Sequence, residues 1–482
     1  MTPGKLVLVT GVTGYIGGCL VPRLLEKDYR VRTLARDPER LSGRPWFAQV
    51  EAVRADILSP ENLHQAMQGV FTAFYLIHNM TNGPGYFEKE IDSARNFSSA
   101  ALAAGVQHII YLGGLANPQE DIGQHLRSRI QTGVALRQAG VPVTEFRASL
   151  IIGPGSISFE MIRYLTEQLP ILVGSPWINN RTQPIAIQNV LDYLLAALEN
   201  PDSHGKIYEI GGRDILTYAE TISVYARLRG LKRRVIVIPG LPVDLMARFV
   251  GLLTPIPTRI AGPLLEGMCS DSVVQDESAK RDFPQIHSID YETSVSIALE
   301  RLSPGYLETG WENGASSFRI KQAGFFIEGQ RIRLTIQPGV AFRVITGLGG
   351  RAGWLYLNPL WKLRGFFDRL VGGPGLRGRK TGHDLVVGDV LDFYRVEALE
   401  NDRLMRLKAE LKAPGQGWME WRLEPDPEAG VSVTQIAYFA PKGLSGFLYW
   451  YVLLPVHRLV FTGLIKAIAR HAQNVVTTKS FH

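Results

Sequence analysis

The first 150 residues alternate short apolar runs with longer segments in which apolar residues recur every three or four positions. Nearly continuous apolar runs are typical of buried parallel strands, and a spacing of three to four is typical of amphipathic helices. The predicted strands are KLVLVT (5–10), RVRTLA (30–35), VEAVRAD (50–56), TAFYLIH (72–78), HIIYLGG (108–114) and VTEFRAS (143–149). The alternation predicts an α/β fold, a doubly wound parallel sheet with helices on both faces.

The pattern becomes less regular between residues 150 and 300. It predicts a helix in IQNVLDYLLAALEN (187–200) and a strand in KIYEIGG (206–212), which we interpret as the rest of the sheet beside a small substrate lobe. The segment LSPGYLETGWENGASS (302–317) is rich in Gly, Pro and Ser and is predicted to be a linker. The expected organisation is therefore a first domain over 1–301 and a second over 318–482.

Beyond the linker the apolar spacing changes towards two, which predicts strands. Helices are predicted in WKLRGFFDRLVGG (361–373) and over 441–472, where Pro455 is expected to produce a kink. The strand candidates are FRIKQAGFFIEGQRIRLTI (318–336), VAFRVITGL (340–348), VLDFYRVEALENDRLMRLKAEL (390–411), GWMEWRLEP (417–425) and VSVTQIAYFAP (431–441). An antiparallel sheet with one long helix is an α+β domain.

Composition limits the kinds of partner and the cellular compartment that we expect for this chain. The net charge of +7 over 482 residues fits a phosphate-bearing ligand or an anionic membrane surface, and without a dense basic run we expect no nucleic-acid partner. Two distant cysteines, Cys19 and Cys269, argue against a disulfide framework and a cysteine-based zinc site, so we expect no metal and a reducing cytoplasm. The apolar stretch 443–456 is shorter than the ~20 residues that span a bilayer, which leaves peripheral membrane contact of the last helix as the open alternative.

The stretch VLVTGVTGYIGG (7–18) carries the strongest chemical signal. Its G-x-x-G-x-x-G pattern follows a predicted strand and opens a predicted helix, where glycines permit a tight turn and close approach to a diphosphate. Helix-start amides then bind the phosphates. The predicted cofactor contacts in this stretch are Thr10, Gly11, Gly14, Tyr15, Ile16 and Gly17.

The end of the second predicted strand indicates which dinucleotide binds. NAD sites usually carry an acidic residue about 20 residues beyond the glycines, but here Arg36 follows Leu34 and Ala35. A guanidinium pairs with a 2′-phosphate, so the sequence favours NADP over NAD. Asp56 and Ile57 are predicted at the adenine edge. His78, with Asn79 and Met80 beside it, is predicted near the nicotinamide, because it ends a strand where such folds place ligands.

These motifs, with LARDPER (34–40), ADI (55–57) and FRASLIIGPGS (146–156), resemble the short-chain dehydrogenase/reductase superfamily. The resemblance is to its atypical members, near the extended epimerase-type and nitrogen-repression-regulator-like branches, and covers about residues 1–300. It implies a Rossmann domain, NADP(H), and reductase, epimerase or dehydratase activity. Residues from about 305 to 476 resemble a START-like helix-grip domain of the polyketide-cyclase and lipid-transfer superfamily, which implies an apolar cavity between sheet and final helix.

The catalytic pattern of that superfamily is missing. It normally uses a serine after the fifth strand and a Tyr-x-x-x-Lys pair on the next helix, whereas this chain has Gly113 and Gly114, then His125 and Arg129 at the pair's spacing. A neutral histidine can exchange protons near pH 7, and Arg129 is expected to lower the pKa of His125. The pair is our catalytic candidate, and a structural or ligand-orienting role is the alternative.

The second domain offers aromatic residues for a cavity. Its candidate lining is Trp354, Tyr356, Trp361, Phe366, Trp418, Trp421, Tyr449, Trp450 and Tyr451, with core packing as the alternative for each. Arg333, Arg343 and Arg351 are candidates to anchor an acidic head group. Large apolar guests suit such cavities.

Three functions remain open at this stage. The first is an NADP(H)-dependent oxidoreductase for a bulky hydrophobic substrate resembling a quinone, isoprenoid or lipid. The second is a non-catalytic NADP(H) redox sensor or assembly factor. The third is a lipid or quinone carrier with a vestigial Rossmann domain. The sequence does not indicate the oligomeric state.

Overall fold

The protein is analysed as a computed structural model, which describes residues 4–78, 85–116, 122–306, 316–379 and 384–479. The chain divides into two units, Met1–Asn313 and Gly314–His482. The division falls inside the predicted linker. Each unit is described by itself below.

The first unit contains thirteen strands and eleven helices in its described part. They are β1 (Leu6–Val9), α1 (Tyr15–Glu26), β2 (Arg30–Ala35), β3 (Glu51–Arg54), α2 (Leu63–Met67), β4 (Thr72–Tyr75), α3 (Tyr86–Ala103), β5 (His108–Gly114), α4 (Gln124–Arg137), β6 (Val143–Ala148), β7 (Ile151–Ile152), α5 (Ile157–Gln168), β8 (Ile171–Gly174), β9 (Arg181–Thr182), β10 (Ile185–Ala186), α6 (Ile187–Glu199), β11 (Ile207–Ile210), β12 (Leu216–Thr217), α7 (Tyr218–Leu228), β13 (Arg234–Val237), α8 (Val243–Leu253), α9 (Thr258–Gly267), α10 (Ser278–Asp282) and α11 (Tyr291–Glu300).

Seven of these strands form one parallel sheet in the order β11-β6-β5-β4-β1-β2-β3. The six strands predicted in the first 150 residues are confirmed, and so is the doubly wound α/β class. Val7, Phe74 and Ile110 are fully buried in the sheet core, which explains their continuous apolar sequence. Strand order reverses between β1 and β4, and folds of this kind bind ligands at the carboxyl ends of such strands.

The remaining strands of this unit form three short pairs beside the main sheet. Strands β7 and β10, and β8 and β13, pair in parallel, whereas β9 and β12 pair antiparallel. They lie among helices α5, α7, α8, α9 and α11, and their apolar residues form separate cores. This region corresponds to the predicted substrate lobe.

The second unit contains seven strands and three helices in its described part. They are β14 (Ser317–Gln322), β15 (Phe325–Leu334), α12 (Pro338–Thr346), α13 (Asn358–Leu370), β16 (Val390–Leu391), β17 (Tyr394–Glu400), β18 (Leu404–Ala409), β19 (Gly415–Asp426), β20 (Gly430–Pro441) and α14 (Gly443–Lys479). The strands form one antiparallel sheet in the order β14-β15-β20-β19-β18-β17-β16.

One prediction for this unit is wrong. VAFRVITGL (340–348) was expected to be a strand, but it lies largely within helix α12. Ala341, Ile345 and Leu348 are buried at helical spacing, and Pro338 occupies the first turn, where its missing N–H costs nothing. The segment also fits a period of two, and that period predicts a strand.

Helix α14 packs one of its faces on the sheet. Leu464, Ile468 and Ala472 are at most 1 % exposed and belong to the same core as Val431 and Val433 of β20. The helix continues through Pro455 without a break. It is also the one helix in the described residues that is long and apolar enough to cross a membrane, a criterion that core helices meet as well.

Candidate functional site

The turn between β1 and α1 brings three glycines into close contact. Gly11 has a φ of +66°, and a Cβ there would lie 2.4 Å from the carbonyl oxygen of Leu76. A Cβ on Gly17 would lie 2.6 Å from the carbonyl oxygen of Gly11. A Cβ on Gly14 would lie 3.1 Å from that same oxygen. The glycines are therefore required by the close approach of the turn to the segment that follows β4 and to α1.

Helix α1 begins directly after this turn with amide groups that its N-cap residue does not cap. Its N-cap, Gly14, has an extended conformation and no side chain to accept hydrogen bonds from the first amides. Such amides, at the positive end of a helix dipole, attract a phosphate. The residues present therefore fit the diphosphate of a dinucleotide.

The other predicted cofactor residues lie around this turn in different environments. The Thr10 hydroxyl donates to the Phe74 carbonyl oxygen at 2.9 Å and accepts from the Leu76 amide at 3.0 Å, so it ties β1 to β4. Tyr15 and Ile16 are partly buried and pack on the core around β1. A ligand contact of these side chains stays a prediction.

Arg36 and Asp56 are the charged residues that the sequence places near the adenosine part of the cofactor. Arg36 lies exposed after β2 and makes no ion pair or hydrogen bond within the described parts of the chain. Asp56 accepts a hydrogen bond from the Leu58 amide at 3.0 Å, and Ile57 is 6 % exposed in the core. Arg36 is therefore the available cation, whereas adenine contacts of Asp56 and Ile57 stay predictions.

A second arginine near the turn was missed by the sequence analysis. Arg44 is buried, its Nη2 lies 3.5 Å from the Val12 carbonyl oxygen, and its guanidinium lies 5.7 Å from the centre of the Trp46 ring. A Cβ on Gly18 would lie 2.8 Å from Arg44 Nη1. Arg44 belongs to an irregular segment, where no periodicity could indicate its position.

At the carboxyl edge of the sheet, three elements bring together a carboxylate and two imidazoles. His78 follows β4, Glu90 lies on α3, and His125 lies on α4. His78 Nδ1 lies 2.7 Å from Glu90 Oε1, and the Ser128 hydroxyl donates to Glu90 Oε2. The rings of His78 and His125 are 4.8 Å apart between centroids. His78 and His125 thus lie in contact at this edge, and their contact with a ligand stays a prediction.

Burial determines the charge state of these groups. Burial, and then the positive charge of Arg129, lower the pKa of His78. Burial, then His78 and Arg129, hold the pKa of His125 well below its usual value, which confirms the predicted direction. Burial opposes ionisation of Glu90, but its hydrogen bond with His78 and the nearby positive charge outweigh burial and lower its pKa to about 2. At neutral pH the cluster therefore holds one carboxylate and two neutral imidazoles.

Each of the two histidines has a ring nitrogen that is not bonded to the carboxylate of Glu90. Because the ionised Glu90 can only accept, His78 carries its proton on Nδ1 and donates it to the carboxylate. The Nε2 of His78 then presents a lone pair. His78 Nε2 and His125 Nδ1 are both buried and have no hydrogen-bond partner among the residues that the structure describes. They are therefore available to a ligand. Asn79 and Met80 lie outside the described residues.

Arg129 is used inside the protein. Its Nη1 lies 3.6 Å from Glu90 Oε1 and 3.4 Å from the Ile77 carbonyl oxygen, and its Nη2 donates to the Leu112 carbonyl oxygen. Its guanidinium lies 5.2 Å from the centre of the Tyr111 ring, and the Tyr111 hydroxyl donates to the Arg129 carbonyl oxygen at 2.8 Å. Arg129 thus fixes the edge of the sheet and neutralises Glu90, and its catalytic role stays a prediction.

Gly114, in the region where the superfamily has its catalytic serine, lies against side chains of α4. A Cβ on Gly114 would lie 3.0 Å from Leu126 Cδ2 and 3.6 Å from Arg129 Cγ. Side chains of α4 therefore lie close to the position after β5 where the superfamily has its serine. Because that position is a glycine here, it supplies no hydroxyl to polarise a carbonyl.

The carboxylate of this cluster is a second residue that the sequence analysis missed. Glu90 has no solvent exposure, and it shares the buried face of α3 with Ala94, Phe97 and Ala101. These positions have the helical spacing of four, three and four, so a charged residue on the apolar face was visible in the sequence. Charged residues are almost never fully buried unless they are paired.

The second unit contains an apolar cavity of about 160 Å³ between its sheet and helices. Trp361, Trp418, Tyr449 and Trp450 line it, as predicted, whereas Trp354, Tyr356, Phe366, Trp421 and Tyr451 do not. Arg333 instead forms ion pairs with Asp426 and Glu428 at 3.0 and 3.4 Å, and Arg343 and Arg351 are not among the lining residues. An engineered cavity of about 150 Å³ holds benzene, so this one accommodates a ring or a short acyl segment.

Two polar side chains in this cavity were not predicted. Arg364 donates to the Tyr449 hydroxyl at 3.0 Å, and burial followed by the charge of Arg364 lowers the pKa of His457 to about 4. His457 Nδ1 is buried without a hydrogen-bond partner in the described part of the chain. The cavity is thus apolar with a neutral imidazole and a cation available to one polar group of a ligand.

Comparison with known proteins agrees with this architecture. The family model described as "NmrA-like family" matches residues 3–270, which is more than half of the chain. The chain belongs to the NmrA-like family. A second family model, described as a protein of unknown function (DUF2867), matches residues 325–464 in the second unit.

Two curated relatives of this NmrA-like protein each match about half of the chain. A photosystem II assembly factor, Ycf39, from Trieres chinensis is 27 % identical over 253 residues, or 51 % of this chain and 76 % of the relative. A ceramide reductase from Caulobacter vibrioides is 27 % identical over 239 residues, or 48 % of this chain and 74 % of the relative. The proteins to which this chain is similar thus include one described as a reductase and one described as an assembly factor.

A solved structure shares the fold of the NmrA-like unit. The Escherichia coli NADPH-dependent quinone oxidoreductase QOR2, solved with NADPH, superposes with a TM-score of 0.51 at 18 % identity. The match covers 61 % of this chain and 99 % of that protein. At this identity the likeness concerns the Rossmann-type fold.

Proposed function

We propose that the first unit binds NADP(H) and reduces an apolar carbonyl, enone or quinone compound. The glycine turn and the uncapped start of α1 support the binding of a diphosphate, and the exposed Arg36 supports NADP over NAD. The similarity to a ceramide reductase and to a quinone oxidoreductase solved with NADPH is consistent with this assignment. The observation that carries the proposal is the Glu90–His78 hydrogen bond at the carboxyl edge of the sheet.

The chemistry requires a hydride and a proton. Bound NADPH supplies the hydride, and with it two electrons, to a carbon of the acceptor. His78, whose Nε2 holds a lone pair at neutral pH, first takes up a proton from solvent at Nε2 and then delivers it to the acceptor oxygen. Glu90 stabilises the transient imidazolium through Nδ1, as a carboxylate does in an acid–base pair. Arg129 acts as a positioning residue, because it holds Glu90 and the ends of β4 and β5.

We assign an apolar ligand, either a substrate or a regulator, to the cavity of the second unit. The antiparallel sheet and α14 are consistent with the helix-grip, START-like class that the sequence suggests. The cavity volume fits a single ring or acyl segment, so a bulkier guest extends beyond it. A carrier function would use this site alone.

A second candidate function is an assembly or regulatory factor that binds NADP(H) without turnover. Gly113 and Gly114 favour this candidate, because they leave no hydroxyl where the superfamily normally uses a serine. The similarity to a photosystem II assembly factor points the same way. This candidate shares the cofactor site and lacks only the proton transfer by His78.

Measuring NADPH consumption with quinones, enones and isoprenoid aldehydes separates these functions. Turnover that falls by about 100-fold in His78→Gln supports the reductase, since proton transfer by a positioned side chain contributes about 10²–10⁴-fold. His64→Gln, at an exposed histidine that contacts Gln68, is the matched control. Tight NADPH binding without turnover contradicts the reductase and supports the second candidate.

A further inference from the structure

The first half of α14 presents an apolar stripe to solvent. Leu444, Leu448, Val452, Val456 and Leu459 recur with helical spacing and are 42–72 % exposed, with Val452 the most exposed. Residues on the opposite side of the same turns, Phe447 and Trp450, are buried. A helix face of this kind is normally covered by another surface.

Helix α13 adds a second stripe. Leu363, Phe366, Phe367 and Leu370 recur with the same spacing and are 49–65 % exposed, and Val371 follows them at 57 %. Phe366 and Phe367 contact each other edge to face, with ring centroids 5.9 Å apart. Two neighbouring phenyl rings in water are unusual for a surface without a partner.

The two stripes flank the opening of the cavity. Arg364 of α13 and Tyr449 of α14 join the helices by a hydrogen bond of 3.0 Å, and each lies next to a stripe residue in sequence. Both helices supply lining residues, and Val456 is a lining residue that is also 44 % exposed. We call these residues the mouth patch; they are Leu363, Phe366, Phe367, Leu370, Val371, Leu444, Leu448, Tyr451, Val452, Val456 and Leu459.

The exposed charged residues of α13 and α14 are all basic. Lys362 and Arg369 on α13 and Arg458 on α14 are exposed, and no aspartate or glutamate occurs in the sequence of α14. The single acid of α13, Asp368, is buried and accepts hydrogen bonds from the Gly375 and Lys412 amides. An anionic surface complements this arrangement, since each Lys or Arg near such a surface contributes about 1 kcal/mol.

We propose that the mouth patch docks on an anionic lipid bilayer, with α13 and α14 lying in the interface. An apolar face with basic residues beside it and aromatic side chains is the pattern of interfacial helices. The folded unit keeps α14 on its sheet, because Trp450 in the first half and Leu464 and Ile468 in the second half are buried there, so we propose docking and not spanning. Docking places the cavity mouth on the membrane, so a lipid-soluble ligand enters without crossing water; this ligand route rests on the proposed function, whereas docking does not.

Flotation of the full-length protein with vesicles tests the docking. Vesicles of phosphatidylcholine alone are compared with vesicles that also contain phosphatidylglycerol, at low and high salt. We expect flotation with the anionic vesicles and its loss at high salt. Val452→Glu and Phe366→Glu each reduce flotation by at least about tenfold, because a charge is placed in the buried apolar face. Leu102→Glu, at a 56 % exposed leucine on α3, is the matched control.

Two further variants test the contribution of the exposed basic residues to docking. Lys362→Gln and Arg458→Gln each weaken binding to anionic vesicles by about fivefold and leave NADPH binding unchanged. Equal flotation of the wild type and the patch variants overturns the proposal, as does equal binding to neutral and anionic vesicles. Sedimentation that shows a dimer abolished by Val452→Glu also overturns it, because the patch is then an interface between copies of this chain. None of these results depends on catalysis, so failure of docking and failure of the reductase are distinguished.

Discussion

His78 Nδ1 lies 2.7 Å from Oε1 of Glu90, a carboxylate with no solvent exposure that comes from a different element of the fold. Without this carboxylate, the buried His78 would have no group to stabilise its charged form. Without His78 and Arg129, the buried carboxylate would not stay ionised. The two residues therefore define one acid–base unit at the carboxyl edge of the sheet.

Removing the charge of Glu90 tests this unit. In Glu90→Gln the amide keeps a hydrogen bond to His78 but stabilises its imidazolium less, so the pKa of His78 falls further. Because reduction uses the protonated form, we expect turnover at neutral pH to fall by about tenfold or more and the pH profile to move to lower pH. NADPH consumption measured across the pH range checks this.

The same substitution leaves Arg129 buried without its carboxylate. A buried charge that loses its partner costs about 3 kcal/mol, so a lower melting temperature is expected. Asp92→Asn, at an exposed acid of the same helix, is the control and should leave both turnover and melting unchanged. A Glu90→Gln enzyme with the wild-type pH profile would show that Glu90 is only structural.

Arg36 is predicted to set the preference between dinucleotides. Arg36→Glu replaces a cation with a charge that repels a 2′-phosphate, so NADPH affinity should fall by about tenfold or more while NADH affinity stays within about threefold. Arg40→Glu, at an exposed arginine four residues later, is the control. Fluorescence titration with both cofactors gives the ratio, and an unchanged ratio would assign the selection to another residue.

Acid sensitivity of folding should come partly from His108. Burial, followed by the nearby His204, lowers the pKa of His108 to about 3, compared with about 6.5 in the unfolded chain. Below pH 6.5 the unfolded chain binds a proton that the folded protein does not, so stability falls as pH falls and the loss is complete near pH 3. At pH 5 the loss is roughly 2 kcal/mol.

Thermal melting between about pH 7 and pH 5 measures this loss. In His108→Gln, which retains a donor for the Thr144 hydroxyl that the imidazole contacts at 2.8 Å, the decrease in melting temperature should be smaller than in the wild type. His64→Gln should leave the decrease unchanged, because His64 is exposed. Identical pH dependence in all three proteins would place the acid sensitivity elsewhere.

Filling the cavity of the second unit should block its ligand. Ala437 lines the cavity and is 5 % exposed, so Ala437→Leu occupies part of its 160 Å³. Binding of an apolar fluorescent probe should weaken by about tenfold, while overpacking costs about 1–3 kcal/mol in stability. Ala298→Leu, at a buried alanine of the first unit, controls for that cost. Equal probe binding in both variants would place the probe outside the cavity.

The sequence predicted the parts of the fold that depend on local periodicity. Val7, Val9 and Phe74 lie in buried parallel strands with continuous apolar runs, which explains why the strands of the first sheet were found. The segment around Ala341 and Ile345 satisfied both periods, and the helix there was missed although Pro338 indicated its start. Local patterns fail where two periods fit equally well.

The site was predictable only in part, because its chemistry depends on contacts between distant elements. His78 and His125 were identified from strand ends and spacing, but the contact between their rings arises from the packing of α4 against the sheet. Glu90 was missed since its partner is on another element. Arg129 was expected to face a ligand, yet its guanidinium contacts backbone carbonyl oxygens at the sheet edge.

Calorimetric titration of the wild-type protein with NADPH and with NADH tests the central claim most directly. The glycine turn and Arg36 predict saturable binding of both, with NADPH tighter by about tenfold or more. The absence of heat with either cofactor, together with an unchanged melting temperature in their presence, would contradict the account.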